Sequence, residues 1–265
     1  MNINRVLTII DKEWNEVFKN RMVIFTISFM PVIFTIMPLV MIYALGGDSG
    51  IPTGDTADVP PEFLSFCGEL PGADCMQIFL INQFMLMFMM MPLIIPTAIA
   101  AYSIVGEKTT RSLEPLLATP VTTIELLTGK ALAAALPAII ITWVCFLIFI
   151  LLMPLVGATP GLIQHVTGPV WFIAVLIMGP LMAIAAVNLA VIVSSRVNDP
   201  RVAEQISGVL VVPILALLFG QLAGFIVLDL KLIVMAILVV LAVDFALVYA
   251  GARLFQRETI LTRWK

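Results

Sequence analysis

Long apolar runs, each close to twenty residues or more, recur along the chain and leave few folds open to it. A helix needs about 20 consecutive apolar residues to cross roughly 30 Å of hydrocarbon. About six runs meet that requirement, at 22–45, 76–105, 131–156, 169–195, 206–228 and 232–252. Lipid offers no hydrogen bonds to an exposed backbone, so runs of this kind cross as helices. The sequence therefore predicts an all-α membrane protein with six transmembrane helices in a single domain over 1–265. Charge agrees with this: 12% of the 265 residues are charged, about half the roughly 25% of a soluble domain.

An even number of spans puts both termini on one side, and the basic residues say which. The loop 46–75 holds Asp48, Asp55, Asp58, Glu62, Glu69 and Asp74 but no Lys or Arg. Arg5, Lys12, Lys19 and Arg21 precede the first span, Lys108, Arg111 and Lys130 follow the second, and Arg196 and Arg201 follow the fourth. Arg253, Arg257, Arg263 and Lys265 close the chain, which leaves Lys231 alone among the 14 basic residues on the opposite face. The positive-inside rule then makes both termini cytoplasmic. Residues 1–21 lack the prompt apolar core of a cleavable signal. Ile3, Leu7, Ile10, Trp14 and Val17 recur at helical spacing, with Arg5, Asp11, Lys12, Asn15 and Lys19 opposite. That pattern predicts an amphipathic helix at the cytoplasmic leaflet, the other reading being a helix packed on protein.

Several chemistries drop out. A net charge of −3 excludes a strongly basic nucleic-acid footprint. One His and three Cys, without HExxH or CxxC, offer no metal site. TGKA at 128–131 ends like a phosphate-binding loop, but Ile124 stands where its first Gly belongs and Ala131 where Ser or Thr should follow the lysine. His165 falls in the second outer loop with no acid or nucleophile beside it, so no catalytic residue is assigned. Asp244 is the one acid well inside a span. It is read either as a cation or proton site or as interhelical glue to a polar neighbour such as Asn188 or Gln221. Cys67 and Cys75 lie in the outer loop, where a disulfide between them would persist. The run MLMFMMMP at 85–92 is either an adaptable surface or plain core or lipid-facing packing. Prolines at 31, 38, 92, 96, 137, 154, 180 and 213 invite kinks within the spans.

Residues 106–130 form a polar interruption with an ordered pattern. Leu113, Leu116, Leu117 and Val121 make one apolar stripe, Pro120 breaks it, and Thr122 with Glu125 forms a capping-box signature that restarts a helix. The run EKTTRSLEPLLATPVTTIELLTGK resembles the signature of the ABC-2 type permeases, the membrane subunits of ATP-binding-cassette (ABC) exporters. The acid–basic start is Glu107–Lys108, the central Leu-Glu-x-Leu-Leu is 113–117, the corner is Thr119–Val121 and the close is Gly129–Lys130. Arg111–Ser112 depart from the Gly that many members carry there. SSRVNDPRVAEQISG at 194–208 resembles the family as well, and the sodium-export permeases are the subgroup most similar.

The resemblance implies a permease subunit in the plasma membrane, paired with a second permease copy or paralogue. The loop after the second span would dock as a coupling helix on a separate cytoplasmic ABC ATPase, which would hold the ATP and Mg. The residues it assigns to that interface are Glu107, Lys108, Arg111, Leu113, Glu114, Leu116, Leu117, Pro120, Asp199 and Arg201. The chain itself would bind no cofactor and catalyse nothing. A stand-alone secondary transporter or channel using Asp244 is the alternative, although no inverted repeat is visible.

Overall fold

A computed structural model describes residues 2–19, 21–46, 72–109 and 122–254. Among these residues all regular structure is helical. Six helical stretches are long and apolar enough to cross a membrane: Val23–Ala44, Gln77–Gly106, Glu125–Val156, Pro160–Ser194, Pro200–Leu222 and Leu230–Gly251. A short helix α1 (Ile3–Val17) precedes α2 (Arg21–Gly46). The second span is α3 (Gly72–Phe88) with α4 (Met91–Thr109), and the third is α5 (Thr123–Leu152) with a 3-10 turn at Met153–Val156. The fourth combines α6 (Pro160–Val166), α7 (Pro169–Ile173), a π-helical turn at Ala174–Met178 and α8 (Gly179–Ser194). The fifth joins α9 (Pro200–Ser207) to α10 (Val212–Leu222) through a 3-10 turn, and α11 (Leu230–Leu254) is the sixth.

The second and fourth spans form the middle of the bundle: 72% and 56% of their apolar windows are buried, against 11% for the last span. α4 packs on α8, α5, α9, α2 and α1. Small residues explain the close approach of the two central helices. Ala98 and Ala101 of α4, and Ala183, Ala186 and Ala190 of α8, are buried, and without bulky side chains the backbones can come together. The outer helices turn Phe25, Phe29, Leu147, Leu151, Leu238 and Phe245 outward. An apolar exterior on this scale needs lipid as its solvent.

Prolines divide into two groups. Pro92, Pro154, Pro180 and Pro213 coincide with helix breaks or starts. The missing N–H of Pro92 falls at the turn Met89–Met90 between α3 and α4. Pro31, Pro38, Pro96 and Pro137 instead sit inside continuous helices. The methionine run belongs to the core, with Met85, Met89 and Met91 buried. The fifth span starts and stops earlier than the apolar run 206–228 suggests. Asp199 caps α9 with Pro200 in its first turn, and Gly224, at φ 75°, lies just past the end of α10.

α1 does not lie on lipid alone. Val6, Ile9, Ile10, Glu13 and Val17 form its buried face, and the helix packs on α5 and α4. Ile3, Leu7 and Phe18 remain exposed beside that face. Gly129 of α5 makes the approach possible: a Cβ there would sit 2.8 Å from Cγ2 and 2.9 Å from Cβ of Ile9. Gly129→Ala should therefore push α1 away from α5. The overpacking costs about 1–3 kcal/mol, more than the roughly 1 kcal/mol that Ala gains over Gly in a helix. Thermal unfolding in detergent should show a lower midpoint, largely recovered when Ile9→Ala makes room. An unchanged midpoint would contradict the close contact.

Candidate functional site

The helices that lead into and out of residues 110–121 are α4 and α5, and a polar cluster joins both to α1. Glu13 stands on the apolar face of α1, four residues after Ile9, where a bare charge would be intolerable. Lys130 of α5 answers it: its Nζ donates to Glu13 Oε1 at 2.7 Å and to Ser103 Oγ of α4 at 2.9 Å. The Ser103 hydroxyl in turn donates to Glu13 Oε2, closing a three-helix ring. Glu13 and Lys130 are 2% and 6% exposed, so the pair is removed from water. Lys12 adds a looser ion pair to Glu13 at 3.7 Å. Burial pushes the Glu13 carboxyl up, but the Lys130 ammonium and the hydrogen bonds from Lys130 and Ser103 outweigh it and hold the group below its ordinary value.

A second tie lies at the helix starts. The Thr122–Glu125 capping box is formed, with Glu125 N–H donating to the Thr122 hydroxyl and Thr122 N–H to the Glu125 carboxylate. The same carboxylate accepts from the backbone N–H of Asn2 at 2.7 Å and pairs with Arg5 at 3.6 Å. Trp14 Nε1–H donates to the carbonyl of Ala133 at 2.9 Å. α1 is thus strapped along the first turns of α5 by polar contacts that enclose the Val6–Ile10–Ala133 cluster.

The sequence-assigned coupling residues are only partly within reach. Glu107 and Lys108 continue the backbone of α4, with their side chains outside the described residues. Arg111, Leu113, Glu114, Leu116, Leu117 and Pro120 also lie outside the described residues. Asp199 and Arg201 are exposed at the start of α9, where the Asp199 carboxylate accepts from Arg201 N–H at 2.8 Å. α9 is anchored beside the end of α4 by Ala203, which packs with Ala101 and Val105. The structure therefore brings α1, α9, the end of α4 and the start of α5 together at one end of the bundle.

Within the spans the picture changes. Asp244 is buried and neither carboxylate oxygen has a hydrogen-bond partner. The tie to Asn188 or Gln221 is therefore not made. Asn188 is half-exposed, and the Gln221 amide is itself buried without a partner. His165 is no loop residue: in α6 it bonds Asn82 of α3 at 2.9 Å, and Trp171 Nε1–H donates to the same Asn82 oxygen. Cys75 is disulfide-bonded and Cys145 is a free thiol, while Cys67 lies outside the described residues. No group of three potential metal ligands occurs among the described residues.

Glu13 and Ser103 escaped the sequence reading, although an acid at helical spacing from Val6 and Ile9 is a signal in itself. Removing one partner of such a buried pair costs roughly 3–5 kcal/mol, whereas replacing both by apolar residues is close to neutral. Glu13→Gln and Lys130→Met should each destabilise the protein strongly, and Glu13→Leu with Lys130→Met should recover most of the loss. Acid should act similarly. A depressed carboxyl contributes stability above its unfolded value near 4.5 and loses it as pH falls through the lower folded value. Trp14 fluorescence should report the release of α1 in that window.

The chain matches the family model described as ABC-2 family transporter protein over residues 7–235, from within α1 into α11. No individual curated protein matches it significantly. The match is to the family as a whole and gives no support to the sodium-exporting subgroup. With six apolar helices, two of them central to the bundle, the chain belongs to the ABC-2 transporter family and is a multi-pass membrane protein, the permease component of an ABC transporter.

Proposed function

We propose that the chain forms the transmembrane pathway of an ATP-driven exporter and takes its motion from a separate cytoplasmic ABC ATPase through residues 106–130. The observation that carries this reading is the Glu13–Lys130–Ser103 ring. It braces the two helices that flank the segment, so a push received there is passed to the spans instead of being absorbed by a loose loop. Asp199 and Arg201 present a second exposed polar surface at the same end. On this reading the ATP and Mg belong to the ATPase, the chain performs no catalysis, and two permease copies or paralogues pair in the plasma membrane. Both termini face the cytoplasm, in keeping with the acid-only loop 46–75 and the basic residues opposite it.

Alanine replacement throughout Leu113–Leu117 should abolish copurification of the ATPase while leaving membrane insertion intact. Truncating one interface anchor costs about 2 kcal/mol, roughly thirtyfold in affinity, and a rim charge costs less. Leu117→Ala should accordingly weaken association more than Lys108→Ala. ATPase per permease and substrate-stimulated hydrolysis are the readouts; if both stayed at wild-type levels in the alanine block, the segment would not be the coupling element.

One observation favours a second reading, a stand-alone transporter or channel: the unpartnered Asp244 carboxylate, a candidate ion or proton site. Asp244→Asn should leave folding and ATPase association intact, because the amide keeps hydrogen-bonding capacity without the charge. Loss of transport with normal association would assign Asp244 to the transport pathway. Retained transport would make it structural.

A further inference from the structure

Both central spans are broken, and the breaks lie at one level. In the second span Met90 N–H falls back on the Met87 carbonyl at 2.9 Å, and Pro92 has no N–H to offer Phe88. In the fourth, the π-helical turn closes with Gly179 N–H on the carbonyl of Ala174, five residues back. Val175 then has no donor within the helix, because an α-helical bond would take the N–H of Gly179 and the next one along is missing at Pro180. The Trp143 indole of α5 donates to that carbonyl instead, at 3.2 Å. Gly179 faces Pro92: a Cβ built on it would come 4.0 Å from the proline Cγ, an ordinary contact.

The two sides of this level are held in different ways. Toward α1, α4 and α8 pack directly on each other, with Ala98, Ala101, Ala183, Ala186 and Ala190 buried. Away from α1, Asn82 of α3 gathers in α6 and α7: its Oδ1 accepts from Trp171 Nε1–H at 3.2 Å and bonds His165 Nε2 at 2.9 Å. An indole only donates, so the Asn82 atom is the oxygen, and His165 carries a proton on Nε2. The three segments are thereby one body. An apolar void of about 20 Å³ lies against the breaks, with Met89, Ala174 and Met178 on one side and Leu217, Leu232 and Ile233 of α10 and α11 on the other. Unbranched methionines in its wall adapt easily to a changed shape.

We propose that α3, α6 and α7 swing as one body against α4 and α8 about the Pro92–Gly179 contact, and that the Trp143 indole is the latch on this swing. Helices bend at prolines and π-turns, where the missing ladder bonds no longer resist it. Close to the pivot the displacement is small, so the void gives room enough for the moving half to lean toward α10 and α11. Phe88 and Phe172, which adjoin the breaks, need only slide on Phe146 of α5. The swing grows with distance: α3 has 17 residues, about 25 Å, so a turn of about 10° carries its far end by about 4 Å. The latch holds because a carbonyl without a donor is unfavourable in an apolar interior. The moving half is a gate at the end of the bundle remote from α1. The inference deepens the transport reading and rests on it only for the word gate; the hinge stands by itself.

Distances between paired spin labels in the purified full-length permease test the hinge, in nanodiscs and without ATPase or nucleotide. Genetically encoded labels leave Cys75 and Cys145 undisturbed. Gln164, exposed on α6, reports the moving half, and Ile184, exposed on α8, the fixed one. Leu132 on α5 with Ile184 is the reference pair. The Gln164–Ile184 distances should fall into two populations and the Leu132–Ile184 distances into one. Trp143→Phe keeps an aromatic ring and removes the donor. It should raise the minor Gln164–Ile184 population relative to the major one about fivefold, the weight of one net hydrogen bond. Pro180→Ala returns an N–H to the fourth span, and added to Trp143→Phe it should bring the ratio back to the wild-type value or below. A single Gln164–Ile184 population in all three proteins would overturn the hinge, as would a Trp143→Phe effect that Pro180→Ala leaves unrelieved. Equal broadening of the reference pair would do so too, since it means general loosening. No ATPase takes part, so a failure here leaves the coupling reading standing, and a failure of coupling leaves the hinge standing.

Discussion

Glu13 and Lys130 meet at 2.7 Å with almost no water around either. Removing two opposite charges from water costs several kcal/mol per ion and is recovered only with close geometry and additional hydrogen bonds. Ser103 supplies those bonds, accepting from the ammonium and donating to the carboxylate. The three groups come from α1, α5 and α4, so the requirement that the charges stay paired becomes a requirement that three helices stay together. Everything proposed about force transmission depends on this constraint. A segment between two helices can act as a lever only if its supports do not splay.

Bonded and unbonded polar groups are spread over the whole bundle. At the end that carries α1, Glu13, Lys130, Ser103, Glu125, Asn2 and Trp14 are joined in bonded networks. Near the opposite end Asn82 bonds both His165 and Trp171. Gln77, Gln83, Gln221, Ser194 and Asp244 carry buried polar atoms without partners, at both ends of the spans and within them. Bonded networks favour stiffness, and the one that joins α1, α4 and α5 lies where residues 106–130 leave the bundle.

The sequence made some of this legible for reasons of length scale. The six spans were readable because thickness of hydrocarbon translates directly into residue count, without knowledge of any contact. The capping box at Thr122 and Glu125 was readable because its partners stand three residues apart. The Glu13–Lys130 pair was not readable as a contact, since 117 positions separate the residues and nothing local says that α1 folds back on α5. The short helix in front of the fifth apolar run was not legible, because the polar residues around Pro200 mask a well-capped start. His165 was assigned to a loop since its partner, Asn82, lies 83 positions away.

The central claim is that α1, the end of α4 and the start of α5 move as one body when the ATPase acts. Spin labels at Asp11, on the exposed side of α1, and at Leu132, on the outer side of α5, report that directly. In the reconstituted permease–ATPase complex, the distance between them should stay constant as ATP binds and is hydrolysed. Over the same cycle the distance from Leu132 to a label on α11, such as Leu238, should change. If the Asp11–Leu132 distance itself shifted with nucleotide, α1 would be a hinge, and the clamp account would be wrong.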